Sequence, residues 1–203
     1  MVKGIISDMG NVLVYFDNKI FFKNIAPYSS FSSQQIGDFF QANANLLKKF
    51  DLGLVTDDEF FASFKEIMKL KVDKEKFFQI YNDIFSLNPE PTALLRSLKD
   101  KYSLVLLSNT DRQRFNFILE KFPQIDFFDE YVLSFQVEKM KPDPEIYQLA
   151  LKKAGCRPEE AIFIDDRQEN IETAQRLGLP SIHFLPGQTD LREELARFGV
   201  DID

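Results

Sequence analysis

Residues 2–17 read VKGIISDMGNVLVYFD, and residues 161–170 read AIFIDDRQEN. Each holds a short apolar run of strand length that ends on carboxylates: Asp8 in the first, Asp165 with Asp166 in the second. An apolar run of about 4–8 residues bounded by a turn signal reads as a buried strand, and Gly10 supplies that signal after Asp8. A buried strand has no packing use for a terminal carboxylate. In an open parallel sheet, however, ligands bind just beyond the carboxyl ends of the strands, where such groups would collect.

The second half of the chain extends this pattern. The runs YSLVLLS (102–108), EYVLSF (130–135), AIFID (161–165) and PSIHFL (180–185) alternate with helical stretches. One of these, DPEIYQLALKKAG (143–155), opens on Asp143 and Pro144, suited to an N-cap and first helical position, and closes on Gly155. Its apolar residues Ile146, Leu149, Ala150 and Ala154 keep a helical period. Near-continuous apolar strands alternating with amphipathic helices predict an α/β fold: a Rossmann-like parallel sheet covered on both faces.

The stretch from Phe16 to Ser86 differs. Phenylalanine is abundant, with 22 residues in the chain and no tryptophan, and its FF pairs cluster here. TDDEFFASFKEIMKL (56–70) starts with a capping box of Thr56 and Glu59 and sets Phe60, Phe61, Phe64, Ile67 and Met68 on one face. DKEKFFQIYNDIF (73–85) repeats the arrangement with Phe77, Phe78, Ile80, Tyr81, Ile84 and Phe85. Wide apolar faces of this kind predict a small helical bundle. LNPEP (87–91) reads as the return linker. The expected organisation is an α/β core of residues 1–15 and 87–203, with a helical unit, residues 16–86, inserted after the first strand.

A length of 203 residues suits one core domain carrying an insert. A net charge of −7 argues against nucleic acid or an anionic membrane as main partner, since both call for clustered Lys and Arg. The single cysteine, Cys156, rules out an internal disulfide. No signal-peptide pattern opens the chain, and no apolar run approaches the roughly 18 residues that span a bilayer. A cytoplasmic protein is the expectation.

At the strand ends stand Asp8, then Ser108, Asn109 and Thr110, then Asp165 and Asp166, with Lys139 and Lys141 in KMKPDPEIY (139–147). Facing carboxylates repel one another unless a cation lies between them. An oxygen-only set without cysteine or a nearby histidine suits Mg2+. Such an ion attracts phosphate, whose remaining oxygens Ser108, the Asn109 amide and a lysine can hold. A carboxylate beside that phosphorus can attack it and form an aspartyl phosphate. His183, within an apolar strand, reads as structural, Cys156 as packing, and Lys139 as a solvated loop charge.

These four stretches, in order and at strand ends, resemble the four motifs of the haloacid dehalogenase-like (HAD) hydrolase superfamily across nearly the whole chain. The resemblance implies Asp8 as nucleophile, Ser108 as phosphate-binding hydroxyl, Lys141 as the lysine steadying nucleophile and phosphate, and Asp166 as main metal ligand with Asp165 before it. It also implies that the helical insert is a cap over the substrate. DMGNVLV, LSNT and KMKPDPEIY are most similar to a bacterial group of sugar-phosphate (glucose-1-phosphate) phosphatases. The expected function is a Mg2+-dependent phosphatase of a small phosphorylated metabolite.

Two departures from the pattern stand out. Phosphatases of the superfamily usually carry an aspartate two residues after the nucleophile as general acid and base, and here Gly10 stands there. Its carbonyl can still bind the metal, while the leaving-group proton must come from water, the substrate or a neighbour such as Asp17. Asn170 replaces a frequent motif-four aspartate and brings hydrogen bonds without charge. Two alternatives follow: a metal-independent haloacid dehalogenase, which the acidic pair 165–166 argues against, and a phosphometabolite-binding protein in which Gly10 marks lost catalysis.

Overall fold

The structure, a computed structural model, describes residues 1–202. Five parallel strands, β1 (Gly4–Ser7), β4 (Ser103–Ser108), β5 (Glu130–Leu133), β6 (Ala161–Asp165) and β7 (Ser181–His183), form one sheet in the order β5-β4-β1-β6-β7. The central strand β1 is buried along its whole length. Its Gly4 permits close packing: a Cβ there would stand 2.8 Å from Cys156 Sγ.

Alternation along the strands sorts side chains onto two faces. Ile5, Leu104, Leu106, Ile162 and Ile164 pack with α6 (Pro89–Ser97), α7 (Arg112–Lys121) and α11 (Leu191–Arg197). Ile6, Val105, Leu107 and Phe163 pack with α9 (Pro144–Ala154) and α10 (Gln168–Arg176). From β1 the chain builds outward through β4 and β5, then crosses to β6 and β7 on the other side. That reversal opens a crevice at the carboxyl ends of β1, β4 and β6.

A separate aromatic core lies between β1 and β4 in sequence. Helices α1 (Asn18–Ile25), α2 (Ser33–Ala42), α3 (Ala44–Asp51), α4 (Asp57–Met68) and α5 (Lys74–Asn82) enclose Phe21, Phe40, Phe50, Phe60, Phe64, Phe77 and Tyr81. Phe50 stacks on Phe60 with centroids 3.9 Å apart, and Phe21 meets Phe77 edge to face. The capping box of Thr56 and Glu59 forms at the start of α4, as the sequence predicts.

Several local expectations change. Ile67 is 48% exposed and Leu149 37% exposed, so neither joins the buried face its helical period suggested. Helix α5 stops at Asn82, and Phe85 belongs instead to β3 (Phe85–Leu87), which pairs antiparallel with β2 (Val14–Phe16). LNPEP is therefore no free linker: Leu87 ends β3, and Pro89 starts α6, where its missing N–H costs nothing. EYVLSF splits into β5 and a single helical turn, α8 (Ser134–Val137). The β2–β3 ribbon straddles the expected boundaries and carries the chain into and out of the helical unit.

Helices α3 and α8 meet where Gly53 (φ 70°) leaves no room for a side chain: a Cβ would fall 2.4 Å from the Phe135 carbonyl oxygen. Beside it Ser134 Oγ donates to the Asp51 carbonyl at 2.5 Å.

Candidate active site

Asp8 follows the last residue of β1 and still belongs to the sheet, its N–H donating to the Ile164 carbonyl at 2.8 Å. This fixes its side chain at the crevice. Oδ1 accepts the Met9 N–H at 2.7 Å and faces Lys141 Nζ at 2.9 Å. Oδ2 accepts no hydrogen bond from any described residue. Lys141 Nζ also donates to Asp165 Oδ2 at 2.6 Å, so one ammonium bridges the ends of β1 and β6. All three groups are buried, Lys141 at 3% exposure and Asp165 at 0%.

Asp165 has both oxygens committed. Oδ1 accepts the Arg167 N–H at 2.9 Å and the Asn170 side-chain amide at 2.8 Å, while Oδ2 holds Lys141. It thus fixes the turn leading into α10 and anchors the lysine at once. Asp166 is more open and has one oxygen engaged, Oδ2, which accepts the Asn11 amide at 2.8 Å. Carboxylate oxygens of Asp8, Asp165 and Asp166 lie within 4.8 Å of one another.

Electrostatics explains what this set lacks. Burial pushes the Asp8 carboxyl up to about 7; the Lys141 ammonium opposes the shift and the Asp165 carboxylate adds to it. Burial also works against the Lys141 charge, but the Asp165 and Asp8 carboxylates more than offset it, and its pKa is raised. One ammonium serves two of three converging carboxylates. The donors are all hard oxygens, in a sheet-end crevice where the Asp8 and Asp166 side chains each keep an oxygen with no hydrogen bond. These residues fit a hard divalent cation.

At the end of β4, Ser108 is buried at 2% exposure. The Asn109 side chain, expected to face phosphate, is used otherwise. Its Nδ2 donates to the Lys141 carbonyl and its Oδ1 accepts the Lys141 N–H, both at 2.8 Å. This double clamp orients the loop that delivers the lysine and commits one of the two Asn109 amide hydrogens. Thr110 N–H donates to Ser134 Oγ at 2.9 Å, tying the same loop to α8.

Three supporting residues were not singled out from sequence for the parts they take. Asn11 sits in the left-handed region (φ 54°), which asparagine tolerates, and its amide reaches Asp166. The signal was local: an Asn directly after a turn glycine. His183, read from sequence as structural, has its Nε2 donating to the Asp166 main-chain oxygen at 2.9 Å. Phe16 ends β2 with its ring against Gly10. Two other residues stand apart: Lys139 pairs with Glu145, and Asp17 is exposed, capping α1 through its Oδ1.

Comparison with known proteins agrees with this geometry. A family model described as haloacid dehalogenase-like hydrolase matches residues 32–184, the stretch containing Ser108, Lys141, Asp165 and Asp166. D-ribitol-5-phosphate phosphatase of Bacteroides thetaiotaomicron is 26% identical over 96% of this chain and 97% of its own. A phosphorylated carbohydrates phosphatase of Thermotoga maritima is 31% identical over 58% of this chain and 55% of its own. A HAD family enzyme of B. thetaiotaomicron, crystallised with magnesium and inorganic phosphate, superposes with a TM-score of 0.85 at 28% identity, covering 95% of this chain and 99% of that one. With the strand-end motifs brought to one crevice of a five-stranded parallel sheet, the chain belongs to the haloacid dehalogenase-like hydrolase family and is an enzyme of that family.

Proposed function

We propose that this protein is a Mg2+-dependent phosphatase of small phosphorylated carbohydrates, working through a phosphoryl group carried on Asp8. The observation that carries the reading is the meeting of Asp8, Asp165 and Asp166 oxygens within 4.8 Å, with Lys141 Nζ bridging the first two. The phosphatase names of its relatives and the magnesium and phosphate held by the structural neighbour support it.

In this reading Asp8, Asp166 and the Gly10 carbonyl hold magnesium, which when bound screens the carboxylates and the phosphate charge. Asp165 closes the carboxylate group and fixes Lys141. Asp8 Oδ2, the oxygen without a hydrogen bond, attacks phosphorus as the ester P–O bond breaks. The leaving oxygen takes its proton from water or from the substrate itself, because Gly10 offers no acid and Asp17 is exposed on its own helix cap. Water then attacks phosphorus, and the Asp8–phosphoryl bond breaks to regenerate the carboxylate. Lys141 favours ionised Asp8 throughout and reaches toward phosphate oxygens, as does the Ser108 hydroxyl. Residues 16–86 act as the cap that covers the carbon part of the substrate, with the β2–β3 ribbon as its stem.

A panel of pentose, hexose and polyol phosphates assayed with Mg2+ tests the proposal. Phosphate release that disappears on chelation is the expected result. Tight ligand binding with no turnover would instead favour a binding protein, and chloride release from haloacids without metal would favour a dehalogenase.

A further inference from the structure

Gly10 stands two residues beyond Asp8, and its glycine identity is not explained by its own backbone, since it is absent from the glycines with positive φ. The space around it is more informative. A Cβ built there would meet Phe16 Cε1 at 3.3 Å and Cδ1 at 3.8 Å. The Phe16 ring thus fills the direction that any side chain at position 10 would take.

This contact is built into the backbone. Gly10 bridges to Val14, and the Asn11 N–H donates to the Val14 carbonyl at 2.7 Å, so the turn after Asp8 is fixed to β2. Phe16 ends that strand, and Phe85, opposite it in register on β3, supports the ring from a centroid distance of 6.2 Å. Despite this support Phe16 is 41% exposed. A supported aromatic ring therefore stands partly open against the glycine two residues beyond the nucleophile.

A phosphoryl group has no use for an aromatic face. The carbon skeleton attached to it does, because the C–H face of a sugar or polyol packs on an aromatic ring. We infer that Phe16 is a specificity-determining residue: its ring is the platform for the carbon skeleton of a carbohydrate phosphoester, and position 10 is glycine so that the ring can lie there. This rests on the phosphatase reading above and adds the contact that selects the leaving group.

The test compares wild type, Phe16→Ala and Phe16→Tyr, with Mg2+, on a pentose or polyol phosphate and on acetyl phosphate, whose carbon part is too small to cover a ring. Inorganic phosphate serves as competitive inhibitor, and thermal melts check folding. Phe16→Ala should raise KM for the carbohydrate phosphate about tenfold and leave acetyl phosphate turnover and phosphate inhibition within about twofold of wild type. Phe16→Tyr should stay near wild type. Equal losses on both substrates would reduce Phe16 to a support for the turn and overturn the inference, as would no loss on either. A wild type inert on every phosphoester would bring down the phosphatase reading itself, and this inference with it.

Discussion

Two clusters in this molecule set two carboxylates against one cation. At the sheet crevice Asp8 and Asp165 share Lys141. Between the helical unit and the sheet domain, Asp51 and Asp111 face Arg114, whose guanidinium lies 4.1 Å from the Tyr81 ring centroid. Burial pushes Asp51, like Asp8, up to about 7, with the Asp111 carboxylate adding and Arg114 opposing. A perturbed carboxylate is thus no signature of catalysis by itself. What separates the clusters is their make-up and their place in the fold. In the interface cluster Tyr81 Oη donates to Asp111 at 3.3 Å and Arg114 Nη2 donates to Asn18 at 3.1 Å, while the buried Arg114 Nε has no hydrogen-bond partner. The crevice cluster adds a third carboxylate, Asp166, and uncommitted oxygens at a reversal of strand order. One lies where helices α3, α5 and α7 meet; the other, in the reading proposed above, receives the metal and phosphate.

The largest effect should come from exchanging roles. Asp8→Asn should lower Mg2+-dependent turnover by at least about 10³-fold without lowering Tm near neutral pH, since a desolvated charge is removed. Asp111→Asn at the interface should shift Tm and leave turnover within about threefold. Steady-state kinetics with thermal melts on both variants checks this, and the comparison breaks if the two behave alike.

Arg114→Met should destabilise by about 3 kcal/mol, because it leaves the buried Asp111 and the half-buried Asp51 carboxylates without their cation. That corresponds to roughly 6–12 °C in Tm for a chain of this size, with the activity of the folded fraction retained. A Tm change within a degree would mean the interface charges are solvated.

Mg2+ at a hundredfold excess over its Kd should stabilise the wild type by about 2.7 kcal/mol, read calorimetrically as a higher Tm. Asp166→Asn should show a much smaller gain. If the two respond equally, the metal is not held where the carboxylates converge.

The smallest effect is a pH slope. The folded-state pKa of Asp51 lies above the ordinary carboxylate value of about 3.9, so the native chain holds that proton more tightly than the unfolded chain. The stability this confers is fully present below about pH 4 and lost as pH rises to about 7. Asp51→Asn should match wild type at low pH and exceed it by a few degrees in Tm above pH 7. A variant no more stable than wild type at pH 8 would show that Asp51 is not the strained member of the interface.

Most of the crevice was legible because its chemistry sits at the ends of runs whose burial is written in composition. Asp8, Ser108, Asp165 and Asp166 each follow a strand-length apolar run, and parallel topology brings those ends together. Lys141 needed the motif order, since a lysine before proline in a loop carries no periodic signal. The Asn109 clamp was hidden because it pairs residues 32 positions apart through main-chain atoms. The interface cluster was invisible for a similar reason: Asp51, Tyr81 and Arg114 come from three helices whose relative docking no local pattern encodes. Ile67 and Leu149 show the limit of periodicity, which gives a helix face its phase but not its width.

The central claim, that Asp8 carries the phosphoryl group, is most directly tested by acid-quenching the enzyme during turnover of a carbohydrate phosphate and mapping it by peptide mass spectrometry. One phosphoryl group on Asp8, dependent on Mg2+ and absent in Asp8→Asn, is the predicted result. A phosphoryl group on another residue, or undiminished Mg2+-dependent turnover by Asp8→Asn, would contradict it.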